Sequence, residues 1–190
     1  MATEQELSDF LKSVEKRAFK RAVWQVRDDD AALDIVQDSM LKLAQRYGDR
    51  PAQELPLLFQ RILANQTMDW FRRQKTRDAY LTSAADLIGG DEEEGGPDAL
   101  EVLQAIAGAE AAAESAETSL SRREVLRLIE KALQELPARQ REAFLLRYWE
   151  ELDVAETAAV MGCSVGSVKT HCSRATQALA RTLQAQGISP

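Results

Sequence analysis

The chain has 190 residues, 45% of them hydrophobic, with a formal net charge of −7, two cysteines and one histidine. That length allows one large or two small domains, and the wealth of Ala, Leu, Glu, Gln and Arg with few alternating β-branched runs favours an all-α protein. No apolar run approaches the length of a bilayer span, and the polar, acidic start Met1–Glu6 lacks the layout of a signal peptide, so a cytoplasmic protein is expected.

Leu7, Phe10, Leu11, Val14, Ala18 and Val23 recur at helical spacing and predict a first helix from about Ser8 to Arg27. Asp28, Asp29 and Asp30 break it and can cap the next. Leu33, Val36, Met40, Leu43 and Tyr47 then form an inward stripe ending at Gly48. Asp34, Gln37, Asp38, Leu41 and Gln45 fall on the opposite side of that helix. An acidic and amide row with an exposed leucine fits a basic helical partner, and it equally fits a solvated helix face. A third helix starts near Pro56, carries Leu58, Phe59, Ile62 and Leu63 inward, and runs to about Thr76. Its end, Asn65 to Arg77, sets Trp70 and Phe71 beside Arg72, Arg73, Lys75 and Arg77, with a polar row of Asn65, Asp69 and Arg72. Cations that track phosphates and flat groups that hold unstacked bases suit single-stranded nucleic acid. Trp70 also fits a core position.

From about Thr82 to Ser121 the periodicity fails. Gly89-Gly90, the run Asp91–Glu94 and Gly95-Gly96-Pro97 are turn and repulsion signals, and a flexible acidic tether is expected over 81–120. The charge divides accordingly: 14 Lys/Arg against 13 Asp/Glu over residues 1–80, none against 10 over 81–120, and 10 against 8 over 121–190. Nucleic-acid binding responds to where charge sits, so an acidic total does not exclude it.

Val125, Leu128, Ile129, Ala132, Leu133 and Leu136 predict an amphipathic helix stopped by Pro137. Another follows from Pro137 to about Trp149, burying Phe144, Leu145 and Tyr148. Ala155 to Met161 reads as a short helix, Gly162 and Cys163 as a turn, and Ser164 as the cap of a further helix. In that helix Val165, Val168, Cys172, Ala175 and Leu179 form the inward stripe. Ser167, Thr170, Ser173, Arg174 and Gln177 point the other way, with Lys169 and His171 on the flanks. Hydroxyls and amides that read base edges beside cations that hold phosphates are what a helix needs in a major groove, so a helix-turn-helix is expected here. Cys163, Cys172 and His171 lack zinc spacing and a fourth ligand, so no metal is expected, and the thiols read as structural. No phosphate loop or Ser/His/Asp set is present, so neither a cofactor nor a catalytic residue is expected.

The fold class read from these elements is all-α: N-terminal helical domain 1–80, acidic linker 81–120, and C-terminal helix-turn-helix domain 121–190. A duplex reader and a single-strand reader on one tether fit a protein that holds duplex DNA upstream while capturing an opened strand downstream. A one-component regulator, whose N-terminal half binds a ligand or a second copy, is the alternative.

Three segments carry a family resemblance. Asp30 to Leu43 resembles the polymerase-docking helix of bacterial sigma factors, Asn65 to Arg73 their −10 reading helix, and Leu136 to Arg141 with Val165 to Ala175 their −35 reading domain. Their order and the compact layout resemble the extracytoplasmic-function group. The resemblance implies that Asp34, Val36, Gln37, Asp38 and Leu41 dock on core RNA polymerase. It implies that Asn65, Asp69, Trp70, Arg72, Arg73, Lys75 and Arg77 handle the −10 element of promoter DNA. Ser167, Lys169, Thr170, His171, Ser173 and Arg174 would read the −35 element. His171 stands where the family often has Arg, and Ser173 replaces a commonly bulkier residue. An anti-sigma partner is implied as well, and the acidic tether is expected to lie in the RNA-exit path of the enzyme, imitating nascent RNA.

Overall fold

The computed structural model describes residues 2–79 and 116–186, with the side chains of 77–79, 116–123 and 125 outside that description. Seven α-helices lie among the described residues: α1 Glu4–Val26, α2 Asp29–Tyr47, α3 Leu55–Ala79, α4 Ala116–Glu135, α5 Ala138–Phe144, α6 Val154–Met161 and α7 Val165–Ala185. No strand occurs among the described residues. The chain divides into two compact units, one built on α1–α3 and taking in Ala159–Gly162, the other on the remaining described helices.

In the N-terminal unit α1 starts at Glu4, ahead of the expected Ser8, because Thr3 and Glu6 make a capping box. The Glu6 amide donates to the Thr3 hydroxyl (3.2 Å), and the Thr3 amide donates to the Glu6 carboxylate (2.7 Å). The same backbone bond holds the Glu6 carboxyl below its ordinary range. Arg27 closes the helix in the left-handed region at φ 60°, donating its amide to the Val23 carbonyl (2.9 Å). Asp28 caps α2 by accepting from the Ala31 amide (2.9 Å), as the aspartate run suggested. Pro56 sits in the first turn of α3, where its missing N–H costs nothing. Ala18, Ala22, Val26, Ala32, Ile35, Val36, Leu43, Leu55, Phe59 and Leu63 form the core of this three-helix bundle. The core also takes in a fully buried arginine, Arg21, whose guanidinium donates to the side-chain amide oxygen of Gln60 on α3. A charge so placed is tolerated only through its hydrogen bonds.

In the C-terminal unit α7 packs on α5 and α4. Helix α4 begins at Ala116, inside the stretch expected as tether. Ala and Glu are strong helix formers that a search for large apolar residues passes over. The rest of the expected tether, 81–115, with its expected RNA mimicry, lies outside the described residues. The helix expected from Pro137 to Trp149 is α5 followed by a π-turn over Leu145–Trp149, closed by the Glu150 amide donating to the Leu145 carbonyl (2.9 Å). Ile129, Leu133, Phe144, Leu145, Leu146, Val168, Ala175 and Leu179 are almost wholly buried.

Candidate functional site

Helix α2 buries Ala32, Ile35, Val36, Ser39 and Leu43, and the Ser39 hydroxyl donates to the Ile35 carbonyl (2.6 Å). Asp34, Gln37, Asp38 and Leu41 are exposed on the outer face, where the periodicity put them. Two positions differ. Val36 is only 1% exposed and belongs to the core, so it cannot touch a docked protein; the resemblance alone had put it on the docking face. Leu33 was expected inward and is 44% exposed. It lies roughly 105° from the centre of the observed buried stripe, so it joins Gln37 and Leu41 in an outer ridge at i, i+4, i+8.

On α3, Leu55, Phe59, Leu63 and Ala64 face the core, and the outer row keeps Asn65, Arg72, Arg73 and Lys75 exposed. Asp69 and Arg72 pair at 3.1 Å on the open surface, a contact of little stability value that leaves most guanidinium donors available. Trp70 is half-buried against the core and meets Phe71 edge-on, with ring centroids 5.2 Å apart. Its core and surface readings therefore both hold in part. Arg77 lies on α3, with its side chain outside the described residues. Between α2 and α3 opens a cleft of about 270 Å³ lined by Ala31, Asp34, Ile35, Asp38, Gln66, Trp70 and Arg73. Gln66 accepts from the Lys42 ammonium (2.8 Å), tying the two helices beside it. Nothing in the linear pattern announced this cleft, because it exists only once the helices pack.

The helix-turn-helix is assembled by local capping. Asp153 and Glu156 cap α6 reciprocally: each accepts the other's amide, at 2.7 and 2.8 Å. Gly162 turns the chain at φ 63°, which suits a residue without Cβ. Ser164 caps α7 by accepting from the Ser167 amide (3.0 Å). Val168, Cys172, Ala175 and Leu179 face inward as expected. Val165 does not; it is 44% exposed. As the first residue of the helix its side chain leans back over the turn, where no further helical turn covers it.

Lys169 and Ser173 are exposed, and Ser167, Thr170, His171, Arg174 and Gln177 are half-buried on the outer side. The Thr170 hydroxyl donates to the Gly166 carbonyl (3.1 Å), which leaves its oxygen free to accept. His171 has a shielded Nδ1 without a partner among the described residues. Burial first, then the nearby Arg139 and Arg174 guanidiniums, push its pKa below the ordinary histidine value. Arg139, on the first turn of α5, pairs with the fully buried Glu142 carboxylate at 3.2 Å. Both cysteines are free; burial pushes the Cys172 thiol up to about 11 and raises Cys163 too, which keeps both protonated. About eight residues of helical rise separate the two, about 12 Å, too far for a disulfide. Among the described residues no group of His, Cys, Asp or Glu could hold a metal, and no helix is long and apolar enough to cross a membrane.

Residues 126–179, which span the packed helices and the helix-turn-helix, match the family model of sigma-70, region 4. The chain also aligns along most of its length with named sigma factors. It is 26% identical to the RNA polymerase sigma-H factor of Pseudomonas aeruginosa, covering 95% of this chain and 94% of that one. It is 28% identical to the ECF RNA polymerase sigma factor SigM of Mycobacterium tuberculosis, covering 83% and 66%. The sigma factor RpoE of Bartonella quintana, solved in complex with the anti-sigma factor NepR, superposes with a TM-score of 0.60 at 25% identity over 95% of this chain and 96% of that one.

Together these findings support an extracytoplasmic-function sigma factor. The region matched by the family model includes the helix-turn-helix just described. The α2 ridge and the basic end of α3 lie in the other unit, outside the matched region.

Proposed function

We propose that this sigma factor docks on core RNA polymerase, directs it to specific promoters, and catalyses nothing itself. The observation that carries the reading is the likeness to sigma factors over nearly the whole chain, joined to a helix-turn-helix with an exposed polar and cationic outer face. The same likeness favours it over a one-component regulator, whose N-terminal half would need no such relatives.

The residue roles follow from exposure and chemistry. On α2, Leu33, Asp34, Gln37, Asp38 and Leu41 supply an acidic, apolar-edged ridge for the clamp helices of the largest polymerase subunit. On α3, Asn65, Asp69, Trp70, Arg72, Arg73, Lys75 and Arg77 take the −10 element. There the capture of unpaired bases offsets the few kcal/mol that unstacking costs. On α7, Ser167, Lys169, Thr170, His171, Ser173 and Arg174 read the −35 duplex. The layout of residues 1–80 as docking and −10 domain, 81–120 as acidic linker and 121–190 as −35 domain lets the polymerase set the spacing between the two DNA contacts. The protein works in the cytoplasm, where the polymerase is. An anti-sigma protein holds it inactive until needed, a role inferred by analogy with the RpoE–NepR complex. In vitro transcription by core polymerase across a promoter library tests the reading. Selective starts should appear only when this chain is added, and an unchanged start profile overturns it.

A further inference from the structure

His171 is the chain's single histidine, and its two ring nitrogens have unequal surroundings. Nδ1 is shielded and takes no hydrogen bond among the described residues, whereas Nε2 is not enclosed in that way. Burial opposes a positive charge on the ring, and so do two nearby guanidiniums, Arg139 on α5 and Arg174 on its own helix. Arg139 is anchored by its 3.2 Å pair with the fully buried Glu142 carboxylate, and α5 packs directly on α7. A neutral imidazole carries one proton, and the surroundings of each nitrogen decide where it sits. A proton on the inward Nδ1 would be buried with no acceptor. A lone pair there costs less, because the neighbouring cations favour it.

We propose that Arg139, held by Glu142, is a positioning residue for −35 recognition: it keeps Nδ1 of His171 bare, so that the imidazole presents the duplex with a single N–H donor at Nε2. The proposal rests on the −35 reading of α7 and deepens it by naming what His171 selects. In the major groove a lone donor finds an acceptor at guanine N7 or O6, adenine N7 or thymine O4. At the amino group of cytosine it meets a second donor. A neutral ring adds direction without charge, so it contributes sequence preference and leaves phosphate attraction to Lys169 and Arg174. Nothing in the linear pattern joins residue 139 to residue 171; the packing of α5 on α7 does.

The single histidine makes the test direct. In the untagged full chain labelled with nitrogen-isotope histidine, every imidazole signal in the NMR spectrum belongs to His171. At mildly alkaline pH, where the ring is neutral, the spectrum should show one tautomer, protonated at Nε2. Arg139→Gln should give mixed tautomers and a higher titration midpoint, and Arg139→Lys, which keeps a cation, should return both towards the parent. The second measurement is transcription by core polymerase from promoters with a randomised −35 element. With the parent chain one base pair should disfavour cytosine on one strand several-fold. That preference should flatten in Arg139→Gln and in His171→Gln, whose amide both donates and accepts, and return in Arg139→Lys, with polymerase capture unchanged in all three. A parent spectrum with Nδ1 protonated, or with mixed tautomers, overturns the proposal without any variant, so it stays testable even if Arg139→Gln loosens the C-terminal unit. A fixed Nε2–H tautomer with a −35 preference indifferent to His171→Gln also overturns it. The ring then faces no base, while −35 reading by the rest of α7 stands. If the parent chain shows no −35 preference at all, the underlying reading falls and takes the proposal with it.

Discussion

His171 sits uncharged at neutral pH on the flank of α7, held so by burial and by Arg139 and Arg174. Its folded pKa lies below the unfolded value of 6.5, so as pH falls past 6.5 the unfolded chain takes up the proton first and stability is lost. Thermal melts at stepped pH should show the C-terminal unit weakening below that point, with a shallower slope in His171→Gln; parallel slopes would assign the loss elsewhere. Arg174→Ala should reduce promoter-specific transcription by about tenfold or more while leaving polymerase capture intact. Pull-down and transcription assays on the same preparation separate the two effects. The outward polar set of α7 was legible because the 3.6-residue period sorts faces well in mid-helix. Val165 was not, since at a helix start the period no longer says what covers a side chain. Val36 fell to a different error. A family position was carried onto the surface although the periodicity had already placed it in the core.

Individual helices depend on their end groups. Ser164→Ala removes the acceptor for the Ser167 amide and should cost about 1 kcal/mol, read as a lowered midpoint in denaturant. Gly162→Ala meets no atom within 4 Å, so its penalty is backbone strain alone, about 1 kcal/mol at a φ of 63°. A much larger loss would mean that the turn tolerates no adjustment. Ser164, Gly162 and Asp28 were readable as punctuation, because each residue type does at its position what its side chain favours. The Thr3–Glu6 box carried the same kind of signal and was passed over for the first apolar repeat. The π-turn over Leu145–Trp149 has no such mark. Its residues are ordinary helix formers, and the wider turn emerges only from how the segment packs between α5 and the residues that follow.

For the molecule as a whole, the order of its functional surfaces was written in charge and period, while their depth was not. The acidic outer face of α2, the basic end of α3 and the helix-turn-helix each have a sequence signature. The α2–α3 cleft and the buried Arg21–Gln60 pair depend on contacts between helices, and residues 21 and 60 carry no hint of each other in sequence. Asp38→Arg should abolish capture of core polymerase with an unchanged melting curve, because the side chain is exposed and supports no packing. A shifted melt would show that the substitution acts through folding.

Leu33 and Leu41 leave oil on the outside of α2. Left uncovered, they are expected to favour self-association as concentration rises, measurable as increased light scattering. Replacing both with glutamine should yield a chain that stays dispersed in a crowded preparation yet grips its enzyme poorly. On that outcome, the dispersal of the free chain and the proposed docking draw on the same two side chains.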